Sequence, residues 1–294
     1  MNFIFDCFKE INHLLRSHSN EYLNSSITTN ASGDSVKYID QRAHEIFLNK
    51  SKQNPYIVGF ISEEHPSIVF FDKNKSGLVL AVDPIDGSKG IQSNITVGTI
   101  YTVMEYDAVK DKIVNIIEAG YCLYSFSTIA VRANSNGVKL YALDKNNEFI
   151  FNQATRVLGN DTIYATNEAY SESIDSEFRQ LLSYLKNRGY YQRWIGCMAA
   201  DCHQIIMRGG IFMYPCNTDK PQGKLRFLYE AVAFSYIFDK LGGVGFNENG
   251  VNIIDTLYGF VLKNINPHLT TSLFLCRKDM KDEINVFVES VKNA

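Results

Sequence analysis

Asp83-Pro84-Ile85-Asp86-Gly87-Ser88 follows directly on the apolar run Leu78-Val79-Leu80-Ala81-Val82. The run reads as a buried strand, and beyond it two acids separated by Pro-Ile precede a sharp turn at glycine. Carboxylates delivered together at a sheet edge are hard oxygen ligands, suited to Mg²⁺ or Mn²⁺ rather than to a soft metal. The Gly-Ser step frees backbone N–H groups to receive a phosphate oxygen. Upstream, a second apolar run, Tyr56-Ile57-Val58-Gly59-Phe60-Ile61, leads into Ser62-Glu63-Glu64. Two strand ends that deliver four carboxylates imply a multi-metal site for phosphate chemistry. Two acids at a buried strand end would repel by roughly 4 kcal/mol at about 4 Å in a medium of intermediate dielectric. Bound cations remove that penalty.

Outward from this stretch, residues 3–16 carry Phe5, Phe8, Ile11, Leu14 and Leu15 at helical spacing, and residues 36–50 carry Ile39, Ala43, Ile46 and Phe47 in the same way. Between them residues 19–34 are rich in Ser, Thr, Asn and Gly and read as a mobile loop. Strands are expected at 56–61, 78–82, 96–104, 113–119, 127–133, 138–143, 162–165, 211–214 and 273–276. Helices are expected at 174–187, 198–208, 225–240 and 280–291, the third ended by Gly242-Gly243. Strand-rich sheets interleaved with helices imply a layered α/β architecture. The composition shift places a soft boundary near residue 155, giving halves 1–155 and 156–294.

The chain has 294 residues, enough for a large core, with 45% hydrophobic and 21% charged residues, as in an ordinary globular protein. A formal charge of −3 without a Lys/Arg run argues against general nucleic-acid binding. No apolar stretch reaches membrane-spanning length, and the N-terminus lacks the pattern of a secretory signal. Cys7, Cys122, Cys197, Cys202, Cys216 and Cys276 form no CxxC pair and read as free thiols in a reducing compartment, so a cytoplasmic location is expected. The histidines form neither HExxH nor a zinc spacing, and His203 reads as packed or paired. No GxxxxGK[ST] or GxGxxG loop is present.

Other clusters are ambiguous on their own. Asp34 could cap the second helix and Asp40 could be a solvent-facing acid. Glu63-Glu64 could be a solvated turn. In Gly223-Lys224-Leu225-Arg226-Phe227-Leu228-Tyr229-Glu230, Arg226 and Glu230 are four apart and could form a helix-surface pair. Lys224 and Arg226 could instead reach an anion before the helix begins, Arg through its bidentate fork and Lys as a point charge.

Taken in order, these pieces resemble class I fructose-1,6-bisphosphatase, within the Mg²⁺-dependent sugar and inositol phosphatase superfamily. The likeness runs through Gly33-Asp34-x5-Asp40, Ser62-Glu63-Glu64, the Asp83–Ser88 element, Val97-Gly98-Thr99-Ile100, Ala119-Gly120-Tyr121-Cys122-Leu123-Tyr124 and Asn167-Glu168-Ala169-Tyr170. It continues through Arg193-Trp194-Ile195-Gly196-Cys197-Met198, Gly209-Gly210-Ile211-Phe212-Met213-Tyr214-Pro215 and the 223–230 element. The Asp-Pro-x-Asp-Gly-Ser element marks only the superfamily, whereas the 223–230 element is specific to the bisphosphatase branch. The resemblance implies an α-β-α-β-α sandwich of the sugar phosphatase type, with mixed sheets and flanking helices. It implies that Glu63, Glu64, Asp83, Asp86, Glu230 and the Ile85 carbonyl hold two or three Mg²⁺, with Mn²⁺ as an alternative. Asp34, on the closing loop, would bind a further metal, and Asp40 and Glu64 would orient and deprotonate the attacking water. Gly87 and Ser88 would cradle the 1-phosphate, with Arg226 near it. Asn167, Tyr170, Tyr214 and Lys224 would take the 6-phosphate and sugar, with Trp194 and Met198 in the same contact set. Arg193 would reach across a subunit interface in a homodimer or homotetramer.

Four departures accompany the resemblance. Ser88-Lys89-Gly90 stands where the family usually has Ser-Ser-Asn, adding a cation beside the 1-phosphate as in nucleotide bisphosphate phosphatases. Trp194 replaces the usual tyrosine. By the resemblance the N-terminal segment that binds AMP in regulated members is expected to be absent, and Gly77-Leu78 and Glu105 stand where AMP-binding side chains are usual, so AMP insensitivity is expected. The activity implied is hydrolysis of fructose 1,6-bisphosphate in gluconeogenesis. Sedoheptulose-1,7-bisphosphatase, a nucleotide or inositol phosphate phosphatase, and a non-catalytic regulatory homologue are the alternatives.

Overall fold

Alternation along single strands divides the core between two faces. In Gly77–Asp86, Val79 and Ala81 join one buried apolar cluster while Leu80 and Val82 join another. The computed structural model describes residues 2–23, 25–29, 35–155 and 158–292. Its helices are α1 (Asn2–Ser17), α2 (Asn20–Leu23), α3 (Tyr38–Gln53), α4 (Ser176–Asn187), α5 (Met198–Arg208), α6 (Val232–Lys240), α7 (Ile253–Leu257) and α8 (Lys278–Lys292).

The larger sheet has the spatial order Phe149–Thr155, Gly137–Leu143, Thr128–Asn134, Lys112–Tyr124, Val97–Asp107, Gly77–Asp86, Ile57–Ser62 and Val69–Phe70. It is antiparallel except where Ile57–Ser62 runs parallel to Gly77–Asp86. The second sheet has the order Tyr191–Gln192, Ile163–Ala165, Ile211–Tyr214, Leu273–Arg277 and Gly243–Phe246, with mixed pairing. Ile4, Phe8, Ile39 and Phe47 of α1 and α3 cover the outer face of the first sheet. Ile205, Phe234 and Phe238 of α5 and α6 fill the space between the sheets. Leu181, Leu185, Met280 and Ile284 of α4 and α8 cover the outer face of the second. Five layers result, α-β-α-β-α.

Four expectations change. Residues 225–240 do not form one helix: Leu225–Arg226 pairs with Thr270–Thr271, Phe227–Ala231 is a wide π-helical turn, and α6 begins only at Val232. Its apolar spacing suits either conformation, and the remote partner strand decides. The 19–34 stretch holds α2 and a strand, Ser26–Thr29, paired with Ser35–Lys37, where β-prone Ile-Thr-Thr outweighs the polar composition. Asp34 lies outside the described residues. The cap expected near it falls instead at Lys37, whose backbone N–H donates to Asp40 Oδ2 at 3.1 Å. The strand expected to stop at Val82 continues to Asp86 through a bulge around Pro84 and Ile85.

Candidate active site

The parallel pairing of Ile57–Ser62 with Gly77–Asp86 makes both strands end on the same side. Ser62 stands opposite Val82, and Glu63 N donates to Val82 O at 3.2 Å, so the two acidic segments leave the sheet together. At the bulge Pro84 lacks an N–H, and its carbonyl accepts from Thr99 Oγ1 at 2.7 Å. The bulge brings Asp83 and Asp86 to one place, where Glu230 joins them from the wide turn: ligand atoms of all three lie within 4.8 Å of one another.

Asp83 and Asp86 are buried. Burial pushes the Asp83 carboxyl well above its usual range, and the charges of Glu63, Asp86, Glu230 and Glu64 push it further. Glu230 rises to about 8, mainly through burial and then through Glu63 and Asp86. Glu63 rises by burial against the opposing pull of Arg226, whose Nε lies 3.6 Å from Glu63 Oε1. Asp86 Oδ2 accepts from Ala199 N at 2.6 Å and Cys197 Sγ at 3.1 Å, which offsets part of its burial. The Arg226 backbone N–H donates to Glu230 Oε2. Converging carboxylates that resist ionisation, with only hard oxygen donors, fit a divalent oxygen-seeking cation.

Gly87 follows Asp86 with φ of +76°, and a Cβ there would stand 2.8 Å from Cys197 Cβ. Only glycine takes this turn without cost. Ser88 opens a short helical turn, its Oγ 3.5 Å from Asp40 Oδ2 and its carbonyl accepting from Lys37 Nζ at 2.7 Å. Burial raises Asp40 to about 6, opposed by the Lys37 N–H and Ser88 hydroxyl. Lys89 is exposed, and its charge adds to the burial that lowers the Lys37 pKa. Glu64 N donates to Ser62 Oγ at 3.3 Å, and Ser62 Oγ lies 2.9 Å from His44 Nδ1.

A second group gathers on the other sheet. Lys224 Nζ lies 5.8 Å from the Tyr214 ring centroid and 6.0 Å from that of Tyr170. Asn167 hydrogen-bonds Tyr214 and, through Oδ1, accepts from Ala169 N at 3.1 Å. Trp194 tilts against Tyr214 with centroids 6.1 Å apart. Asn167, Tyr170 and Tyr214 line one pocket. Arg193 stands apart from this wall on the exposed edge, its guanidinium 5.6 Å from the Tyr191 ring centroid. Met198 is buried at the start of α5, its backbone toward Asp86. Arg226 is beside Glu63 and not paired to Glu230 along a helix surface.

Sequence reasoning missed the residues that hold these groups in place. Asp201 is fully buried and accepts from Ile195 N at 2.8 Å and Gly196 N at 3.0 Å; burial raises it to about 7. Ala199 acts through its backbone N–H, and Cys197 and Lys37 through side-chain contacts to Asp86 and to the Ser88 carbonyl, none of which leaves a motif. His203 is packed against Tyr121, its Nδ1 2.8 Å from the hydroxyl, as expected.

A layered α/β fold with strand-end carboxylates converging beside a Gly-Ser turn defines a metal-dependent phosphatase. The family model for the fructose-1-6-bisphosphatase N-terminal domain matches residues 1–154, and that for the C-terminal domain matches residues 157–272. The class 1 fructose-1,6-bisphosphatase of Campylobacter concisus is 33% identical over 293 residues, covering 98% of this chain and 96% of that protein. Fructose-1,6-bisphosphatase 1 of Bos taurus is 34% identical over 234 residues, 74% of this chain and 69% of that protein. The crystal structure of Leishmania major fructose-1,6-bisphosphatase in holo form superposes with a TM-score of 0.87 at 27% identity, covering 98% of this chain and 93% of that one. The chain belongs to the class I fructose-1,6-bisphosphatase family. Among the described residues no helix is long and apolar enough to cross a membrane.

Proposed function

We propose that this chain hydrolyses the 1-phosphate of fructose 1,6-bisphosphate, giving fructose 6-phosphate and phosphate, in cytoplasmic gluconeogenesis. The observation that carries the reading is the convergence of Asp83, Asp86 and Glu230 immediately before the Gly87-Ser88 turn. Glu63, Glu64, Asp83, Asp86, Glu230 and the Ile85 carbonyl would hold two or three Mg²⁺, and Asp34 would bind a further metal. Bound there, the cations supply charge neutralisation for the phosphate and for the departing oxygen.

The chain's own groups do the rest. Gly87 and Ser88 receive the 1-phosphate oxygens on backbone N–H and hydroxyl, with Arg226 and Lys89 as the nearby cations. Asp40, ionised above about pH 6, accepts the proton of the attacking water with Glu64. Lys224, Tyr170, Tyr214 and Asn167 hold the 6-phosphate, while Trp194 and Met198 bound the sugar. Arg193 joins a neighbouring subunit's pocket in a homodimer or homotetramer, which suits its exposed position. The two halves divide near residue 155.

The test is phosphate release with Mg²⁺ from fructose 1,6-bisphosphate, sedoheptulose 1,7-bisphosphate, inositol 1-phosphate and 3′-phosphoadenosine 5′-phosphate, with Asp86→Ala as control. Preference for the first, lost in the variant, is the expected result. Preference for another substrate would reassign specificity to Lys89 and Trp194, and no turnover would leave a non-catalytic homologue. AMP should not inhibit; inhibition at micromolar AMP would refute that part.

A further inference from the structure

Glu63 and Glu230 come from segments far apart in sequence, and the Glu63 charge works against ionisation of Glu230. Something other than their own interaction must hold the two segments together before a cation arrives. His268 stands between them. Its Nε2 lies 3.0 Å from the carbonyl oxygen of His65, the residue after Glu63-Glu64. Its Nδ1 lies 3.3 Å from the hydroxyl of Tyr229, the residue before Glu230. A carbonyl only accepts, so Nε2 carries the proton; the neutral ring then accepts at Nδ1, and the Tyr229 O–H donates. Burial and the adjacent Arg226 guanidinium lower the His268 pKa and keep the ring neutral.

The backbone around the imidazole reinforces the same junction. The His268 carbonyl accepts from Arg226 Nη1 at 3.4 Å, and the Leu269 carbonyl accepts from Phe227 N at 2.7 Å. Thr270–Thr271 then pairs with Leu225–Arg226. A neutral strut suits this position: a Lys or Arg would add a permanent cation beside the acids, and an apolar side chain would leave the Tyr229 hydroxyl without this acceptor.

We infer that His268 is a positioning residue which ties the 63–65 segment to the 226–230 turn and so sets the spacing of the carboxylates that take the metal. The inference rests on the reading of Glu63 and Glu230 as metal ligands. It touches neither substrate nor metal itself.

The test measures Mn²⁺ affinity of the full chain by calorimetry, with thermal midpoints of the metal-free proteins alongside. The variants are His268→Ala, His268→Gln and Tyr229→Phe, with Asp86→Ala as a reference. Loss of one or two hydrogen bonds outside the ligand shell should weaken Mn²⁺ binding about three- to tenfold in His268→Ala and about threefold in Tyr229→Phe. His268→Gln, whose amide can donate to the His65 carbonyl, should stay within about twofold of wild type. A lower midpoint with unchanged Mn²⁺ affinity in His268→Ala would show that the residue only packs, and would overturn the inference. If that variant does not fold, unchanged affinity in Tyr229→Phe overturns it and a weakened affinity supports it. A wild-type chain that binds no Mn²⁺ overturns the metal reading and this inference together, whereas binding by wild type with unaffected variants overturns the inference alone.

Discussion

The carboxylate centre and the aromatic wall around Lys224 are built on opposite electrostatic principles. At the first, Asp83, Asp86, Glu63 and Glu230 crowd together with the Arg226 guanidinium as the nearby cation, and burial holds every one of them above its ordinary pKa. At the second, the Lys224 ammonium stands near the rings of Tyr170 and Tyr214, and the one carboxylate lining that pocket, Glu168, accepts from the Tyr164 hydroxyl and Lys186 Nζ. The first gathers like charges that a cation would relieve; the second offers an ammonium to the anion proposed for it. The contrast makes different variants fail in different ways. Asp86→Ala should lower phosphate release by roughly 10³-fold or more, since several kcal/mol of metal-derived stabilisation vanish. Asp83→Asn should raise the thermal midpoint of the metal-free protein, because one of the repelling charges is gone while the side chain keeps its size. A variant that lost activity and also lost metal-free stability would break the first half of the comparison.

Lys224→Ala probes the other side. Removing one charge-assisted contact to a phosphate should raise KM for the bisphosphate about 10- to 100-fold. The Mg²⁺ concentration for half-maximal rate and the metal-free thermal midpoint should stay close to wild type. A large change in Mg²⁺ demand would mean that the two regions are not separable.

The pH dependence sharpens the same contrast. In the metal-free chain Glu230 titrates at about 8, against about 4.3 for an unperturbed glutamate. The folded state therefore keeps a proton that the unfolded chain releases. That contribution is fully present below the unfolded value and disappears as pH rises through about 8. Metal-free stability should fall between pH 5 and 8.5, on the order of 5 °C in midpoint for a few kcal/mol. Mg²⁺ prefers the ionised oxygens, so the midpoint gained on adding Mg²⁺ should grow over that window. Asp201, raised to about 7 mainly by burial, accepts from the Ile195 and Gly196 N–H groups and adds a component of the same sign. Glu230→Gln removes the Glu230 share of the Mg²⁺-sensitive part and leaves the Asp201 component in place.

The same physical difference explains what could be read in the sequence. Acids at the end of an apolar run are anomalous enough to announce a cation, so Asp83, Asp86, Glu63 and Glu64 stood out from the residues themselves. Asn167, Tyr170 and Tyr214 are individually ordinary and became visible only through the family resemblance, whereas Lys224 already stood out beside Arg226 as a contact for an anion. The wide turn at Phe227–Ala231 was hidden because its apolar spacing mimics a helix, while its true cause, pairing of Leu225–Arg226 with Thr270–Thr271, lies elsewhere in the chain. Asp201, Cys197 and His268 were illegible for a related reason. They act on backbone groups or on another residue's side chain, and such contacts carry no fixed spacing.

The smallest expected effect falls on Trp194, where the chain departs from its family within the aromatic wall. The indole is half-buried, tilted against Tyr214 and nearly parallel to Phe212 at a centroid distance of 6.4 Å. Its contribution to the wall is therefore mainly apolar area and ring packing, worth about 0.5–1.5 kcal/mol per aromatic pair beyond burial. Trp194→Tyr gives up part of that packing and introduces a hydroxyl beside the wall proposed to hold the distal phosphate, so the two changes oppose each other. KM for fructose 1,6-bisphosphate should move by no more than about threefold, consistent with a net effect below 1 kcal/mol. The Mg²⁺ requirement should not move, because neither ring contact reaches the carboxylates. The informative measurement is the ratio of kcat/KM for fructose 1,6-bisphosphate over sedoheptulose 1,7-bisphosphate in both proteins. A ratio that shifts more than about tenfold would mean that Trp194 sets the length of sugar accepted, since removing one poorly placed aromatic contact cannot by itself supply that much discrimination.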